Sequence, residues 1–99
     1  MKNIKSEIKS VVKKGQVIIG LRKVLAGLLN DNPKLVIISS NCPAERKEEI
    51  IYYSRLSETP CEITDIDGAE LGSLCGKPFP VSVLGIMDAG ESNILNEIN

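Results

Sequence analysis

Apolar positions recur along the chain in two periods, and they alternate. Over residues 3–13, Ile4, Ile8, Val11 and Val12 repeat at helical spacing, while Lys2, Lys5, Lys9 and Lys13 occupy a separate stripe. This predicts an amphipathic helix, closed by Gly15. Gln16-Val17-Ile18-Ile19 is β-branched and short, hence a strand. A second helix is expected from Gly20 to about Leu29, with Val24, Leu25, Leu28 and Leu29 as its buried side. Asn30-Asp31-Asn32-Pro33 breaks it. Leu35-Val36-Ile37-Ile38 has no polar position, as expected of a strand covered on both faces.

Pro43 suits a first helical turn. The helix after it, about 44–57, directs Ile50, Ile51, Tyr53 and Leu56 inward. Pro60 ends that region, and 61–64 reads as a short strand. Asp67-Gly68-Ala69-Glu70 has the N-cap and N3 residues of a capping box. Its helix runs to about Cys75, stopped by Gly76 and Pro78. Residues 81–87 give the last strand, and Gly90-Glu91-Ser92 leads into a terminal helix carrying Ile94, Leu95 and Ile98. Four strands alternating with helices predict the α/β class, as a three-layer α/β/α sandwich with a four-stranded mixed β-sheet.

A chain of 99 residues with 42% apolar and 25% charged residues suits one globular domain, spanning 1–99. No stretch approaches a membrane span, and the start lacks the apolar run of a signal peptide. The expected setting is the cytoplasm. There is no His, which removes the commonest general base, the Ser-His and Cys-His pairs, and imidazole-dependent zinc sites. The three cysteines, Cys42, Cys61 and Cys75, form no CxxC pair and read as small hydrophobes in a reducing compartment. The alternative is a reactive or regulatory thiol, with Cys42 its best candidate.

A formal net charge of −1 conceals polarity along the chain. Residues 1–30 carry Lys2, Lys5, Lys9, Lys13, Lys14, Arg22 and Lys23 against Glu7 alone, a balance of +6. Residues 31–57 are neutral, and 58–99 set Lys77 against eight acids, a balance of −7. Such polarity points either to a basic face that meets a polyanion or to a solvated lysine-rich helix.

Three loops gather polar chemistry. Gly20-Leu21-Arg22-Lys23 stands at a strand-to-helix junction, where a glycine admits another backbone and helix N–H groups face phosphate. An ordinary junction is the other reading. Ser39-Ser40-Asn41-Cys42-Pro43 follows the most buried strand and precedes Arg46 and Lys47. Asn41 either bonds a base edge in two places or caps the next helix. Gly76-Lys77-Pro78-Phe79-Pro80 holds the only Phe between two prolines, either as a stacking platform for an unpaired base or as a satellite core residue. Asp65-Ile66-Asp67 reads as a turn.

Several runs together carry a resemblance. Glu70-Leu71-Gly72-Ser73-Leu74-Cys75-Gly76-Lys77, Val81-Ser82-Val83-Leu84 and Asp88-Ala89-Gly90-Glu91-Ser92-Asn93-Ile94-Leu95 are three of them. The others are Gly15-x-x-x-x-Gly20-x-Arg22-Lys23, Leu35-Val36-Ile37-Ile38-x-x-Asn41 and Glu49-x-x-Tyr52-Tyr53-x-x-Leu56-Ser57. In this order and spacing the chain resembles the large-subunit ribosomal protein family L thirty e, of the kink-turn RNA-binding superfamily, over about residues 6–96. The resemblance implies an α/β/α sandwich with no enzyme activity and no cofactor. It implies ribosomal RNA with a kink-turn and neighbouring large-subunit ribosomal proteins as partners, in archaea or eukaryotes. It carries RNA contacts onto Gly20, Arg22, Lys23, Asn41, Arg46, Lys47, Lys77 and Phe79. The expected state when free is a monomer, with no membrane association. The alternatives are the kink-turn-binding core of another ribonucleoprotein particle and a small thiol-based regulator or enzyme centred on Cys42.

Overall fold

The computed structural model describes residues 4–90. The chain runs α1 (Ile4–Lys14), β1 (Gln16–Ile19), α2 (Leu21–Asn30), β2 (Leu35–Ile38), α3 (Ala44–Leu56), β3 (Cys61–Ile63), α4 (Gly68–Leu74) and β4 (Val83–Asp88). The strand order is β1-β4-β2-β3, with β4 antiparallel to both β1 and β2 and β3 parallel to β2. The four-stranded mixed sheet and its flanking helices are those the periodicity predicts. The expected terminal helix after Gly90 lies outside the described residues.

β2 is buried at every position because it lies inside the sheet with helices on both faces. Leu35 and Ile37 join Ile8, Val11, Ile66, Leu71, Leu84 and Ile86 on the α1/α4 side. Val36 and Ile38 join Val24, Leu28, Ile50 and Val83 on the α2/α3 side. The pleat thus divides one apolar run between two cores. No helix among the described residues is long and apolar enough to cross a membrane.

Four local expectations change. Leu29 is 64% exposed and Leu56 63%, so neither belongs to a buried helix face. α2 presses on the sheet at Gly27, where an added β-carbon would come within 2.6 Å of the Ile18 side chain. That contact sets the helix rotation and turns Leu29 outward. α3 buries Ile50 and Ser54, one turn apart, which leaves Leu56 off that face. The last strand begins at Val83 and not at residue 81, because the Val81 N–H donates to the Gly68 carbonyl at 2.9 Å. β3 stops at Ile63. At Asp67 the capping expectation holds: its Oδ1 accepts from the Glu70 N–H at 2.8 Å.

Strand directions place the site. β1, β2 and β3 all run antiparallel to β4, with Ile19 opposite Leu84 and Ile38 opposite Val83. The chain leaving β1, the chain leaving β2 and the chain entering β4 therefore meet at one end of the sheet.

Candidate nucleic-acid interface

Each of the three polar loops is shaped by its own residues. Gly20 has φ 104° and ψ 154°, a conformation that side chains strongly disfavour. An added β-carbon there would meet nothing within 4 Å, so the glycine answers to backbone geometry and access, not to internal packing. Gly20 caps α2 without a side-chain bond, and no acidic residue lies in the first turn. The opening N–H groups of this helix are left for an outside anion.

The β2–α3 loop is tied down at Asn41. Its Oδ1 accepts from the Gly68 N–H at 2.9 Å and from the Ser39 hydroxyl at 3.2 Å. Asn41 is exposed, and its amide NH2 has no partner among the described residues. This corrects the expectation of a base edge bonded in two places. The oxygen is committed inside the protein, and only the two N–H donors remain for a ligand. The helix that Asn41 serves is α4, not the α3 that follows it.

The third loop holds Phe79 outward. It is 53% exposed, which excludes the satellite-core alternative. Gly76, at φ 74°, turns the chain out of α4, and the Lys77 N–H donates back to the Gly72 carbonyl at 2.9 Å.

The first and third loops, with the start of α3, line a groove of about 700 Å³. Gly20 and Lys23 enter it from the first loop and α2, Arg46 from α3, and Lys77 and Phe79 from the third loop. Its apolar lining includes Val12, Val17, Ile19, Leu21, Cys75 and Val81. A smaller hollow of about 220 Å³ lies against Lys77, Phe79 and Pro80 beside Ala69. Three cations, an exposed ring and an apolar floor suit a ligand with a phosphate backbone and an unstacked base. Arg22, Asn41 and Lys47 do not line the groove. Arg22 is exposed, and Lys47 is half-buried.

Sequence reading missed the floor. Val12 ends the apolar stripe of α1, and Val17 and Ile19 lie on the edge strand β1, so each reads as core until the sheet order is known. It also missed the role of α4 in holding two of the loops.

The remaining candidates carry less. Cys42 is 7% exposed, and burial pushes its thiol above the ordinary value despite nearby Lys47 and Arg46. Burial also raises Cys61 and Cys75. Such thiols stay protonated and unreactive at neutral pH, which argues against a nucleophile at Cys42. Among the described residues no group of three or more His, Cys, Asp or Glu side chains is placed to hold a metal.

Comparison with known proteins gives the family. Residues 2–96 match the Ribosomal protein L7Ae/L30e/S12e/Gadd45 family. The chain is 43% identical over 94 residues to the large ribosomal subunit protein eL30 of Methanococcus vannielii, spanning 95% of this chain and 90% of that one. It is 43% identical over 96 residues to the protein of the same name from Candida albicans, spanning 97% and 91%. A solved structure of a protein with unknown function from Bacillus halodurans C superposes with a TM-score of 0.85 at 23% identity, covering 99% of this chain and 97% of that one. That likeness speaks for the fold alone. The match along nearly the whole length makes this chain a member of the ribosomal protein L7Ae/L30e/S12e/Gadd45 family.

Proposed function

We propose that this chain is a structural protein of the large ribosomal subunit, which binds a kink-turn in ribosomal RNA through the groove between the first and third loops and α3. Its eL30 relatives are large-subunit proteins, and the role is structural, not enzymatic, in the cytoplasmic ribosome. The observation that carries the RNA reading is the convergence of Gly20, Lys23, Arg46, Lys77 and Phe79, from three separate segments, on one groove. A single domain of 1–99, monomeric when free and flanked by other large-subunit proteins when assembled, completes the reading.

Recognition needs no bond-making. A kink-turn crowds phosphates at its bend and splays out bases. The open N–H groups of α2 and the charges of Lys23, Arg46 and Lys77 meet phosphates. Phe79 stacks on an extruded base above the apolar floor. Asn41 donates from its amide to an acceptor on a base edge beside the groove; with its oxygen committed, it suits guanine O6 and N7 better than the mixed donor-acceptor edge of adenine.

The test is a titration against a kink-turn RNA and a straight duplex of equal length. Preference for the kink-turn supports the reading, and equal affinity overturns it. Lys23→Gln should make the salt dependence of kink-turn binding shallower by about 0.7–0.9 in log–log slope, one phosphate contact. Arg22→Gln, outside the groove, should change it less.

A further inference from the structure

The groove does not stop at the three loops. It extends down the open edge of the sheet, past Ile19 and Ile18 to Val17, and Val12 of α1 forms part of its wall. The single residue Gly15 links α1 to β1, so α1 runs back alongside β1. Lys5 marks the loop end of α1, because it pairs with Glu70 at 2.7 Å and senses Asp65 and Asp67. Lys13 marks the far end.

Helical geometry fixes what lies beside Val12. At 3.6 residues per turn, Ile8 sits about 40° to one side of Val12, while Lys5, Lys9 and Lys13 sit about 20°, 60° and 100° to the other. Ile8 is buried, and the three lysines are exposed. The groove wall thus passes directly into a lysine stripe parallel to the groove. Lys5 is committed to Glu70, which lowers its value to an outside anion. Lys9 and Lys13 have no ion-pair partner among the described residues. Lys13 lies in the last turn, where the helix end favours a cation, but Lys9 is well short of it, and its charge has no such use.

We propose that the Lys9–Lys13 stripe of α1 is a second RNA-contact surface, which holds backbone phosphates of the RNA that continues beyond the kink along the β1 edge. The proposal rests on the groove being a kink-turn site. The stripe is unlike the groove in kind: it offers point charges and no aromatic or amide, so it contributes position and affinity without sequence preference. It also gives a role to two of the positive charges concentrated in the first thirty residues.

The experiment compares the full-length chain with a Lys9→Gln/Lys13→Gln variant on two RNAs. One is a kink-turn with stems cut to the shortest length that still folds, the other the same kink-turn with both stems extended. Gln keeps the helix propensity of Lys, and thermal unfolding confirms equal folding. The expected result is unchanged affinity and salt slope on the short RNA. On the extended RNA the variant's slope should be shallower by about 1.4–1.8, two phosphate contacts. Lys5→Gln should have a smaller effect there. Equal slopes for variant and parent on the extended RNA overturn the proposal and leave the stripe to solvent or to an acidic protein neighbour. Equal losses on both RNAs also overturn it, because the lysines then belong to the kink contact itself. If the parent chain prefers neither kink-turn over a straight duplex, the groove reading fails first and takes this one with it.

Discussion

Gly72 of α4 packs against the main chain of Phe79 so closely that an added β-carbon would overlap the Phe79 carbonyl oxygen and stand 3.1 Å from its carbonyl carbon. The glycine is buried and lies off the groove, yet it sets where the aromatic loop sits. Gly72→Ala should gain about 0.5–1 kcal/mol from the helix. The overlap is with backbone, which cannot rotate away, and overpacking costs about 1–3 kcal/mol. The expected outcome is a lower melting temperature together with weaker kink-turn binding, since Phe79 must shift to relieve the clash. Binding equal to the parent protein's would show that the loop position does not matter for RNA.

Phe79 itself should behave in the opposite sense. Its ring is more than half exposed, so truncation leaves little cavity. Phe79→Ala should leave melting nearly unchanged, where a buried Phe would cost about 3–5 kcal/mol. Loss of a stacked base costs about 1–3 kcal/mol, roughly tenfold to a hundredfold in affinity. Phe79→Leu should recover part of it, keeping apolar contact without the π face. Melting and titration of the same two variants check this, and a large stability loss with intact binding removes Phe79 from the site.

Much of the fold is legible in the sequence because its signals agree with one another. β-branched runs mark β1 and β2, and Gly15, the 30–33 breaker, Pro43 and Pro60 fall between elements. The unbroken apolar run at 35–38 discloses two-sided burial, and with it helices on both faces. The three polar loops are legible as chemistry, but only the strand order brings them to one end of the sheet. What sequence reading misses depends on contacts distant in the chain. Leu29 looks buried until Gly27 is seen against Ile18. Asn41 looks like a two-ended reader until its oxygen is found on Gly68, 27 residues later. Val12 looks like core until β1 proves to be an edge.

Alkaline pH tests the reading of the cysteines. Burial raises all three thiols in the folded chain above their unfolded values. The folded state therefore holds its thiol protons to higher pH than the unfolded state does. Stability from this source is complete below the unfolded thiol value of about 8.5 and falls as pH rises beyond it. Melting curves from pH 7 to 10 should decline more steeply for the parent chain than for a variant with all three cysteines replaced by alanine. Alkylation of the folded parent at neutral pH should be slower than for an unfolded control. Fast modification of Cys42 would instead revive a reactive thiol there.

Asn41 tests whether one side chain both holds the fold and reads RNA. Its oxygen satisfies the Gly68 N–H, which is buried, and accepts from Ser39, while the NH2 group of this exposed side chain has no partner among the described residues. Asn41→Asp keeps the accepting Oδ1, so both internal bonds survive, and negative charge beside the first turn of α4 is favourable. The variant should melt at or above the parent temperature. It loses both outward donors and turns a negative charge toward RNA. A good amide contact to a base contributes about 1–3 kcal/mol, so affinity should fall by roughly tenfold to a hundredfold or more. Asn41→Ala removes both roles. It leaves the buried Gly68 N–H unpaired, at about 1–3 kcal/mol of stability, and weakens binding as well. Should Asn41→Asp bind as tightly as the parent while Asn41→Ala is unstable, the residue only braces α4, and base reading moves to the groove residues alone.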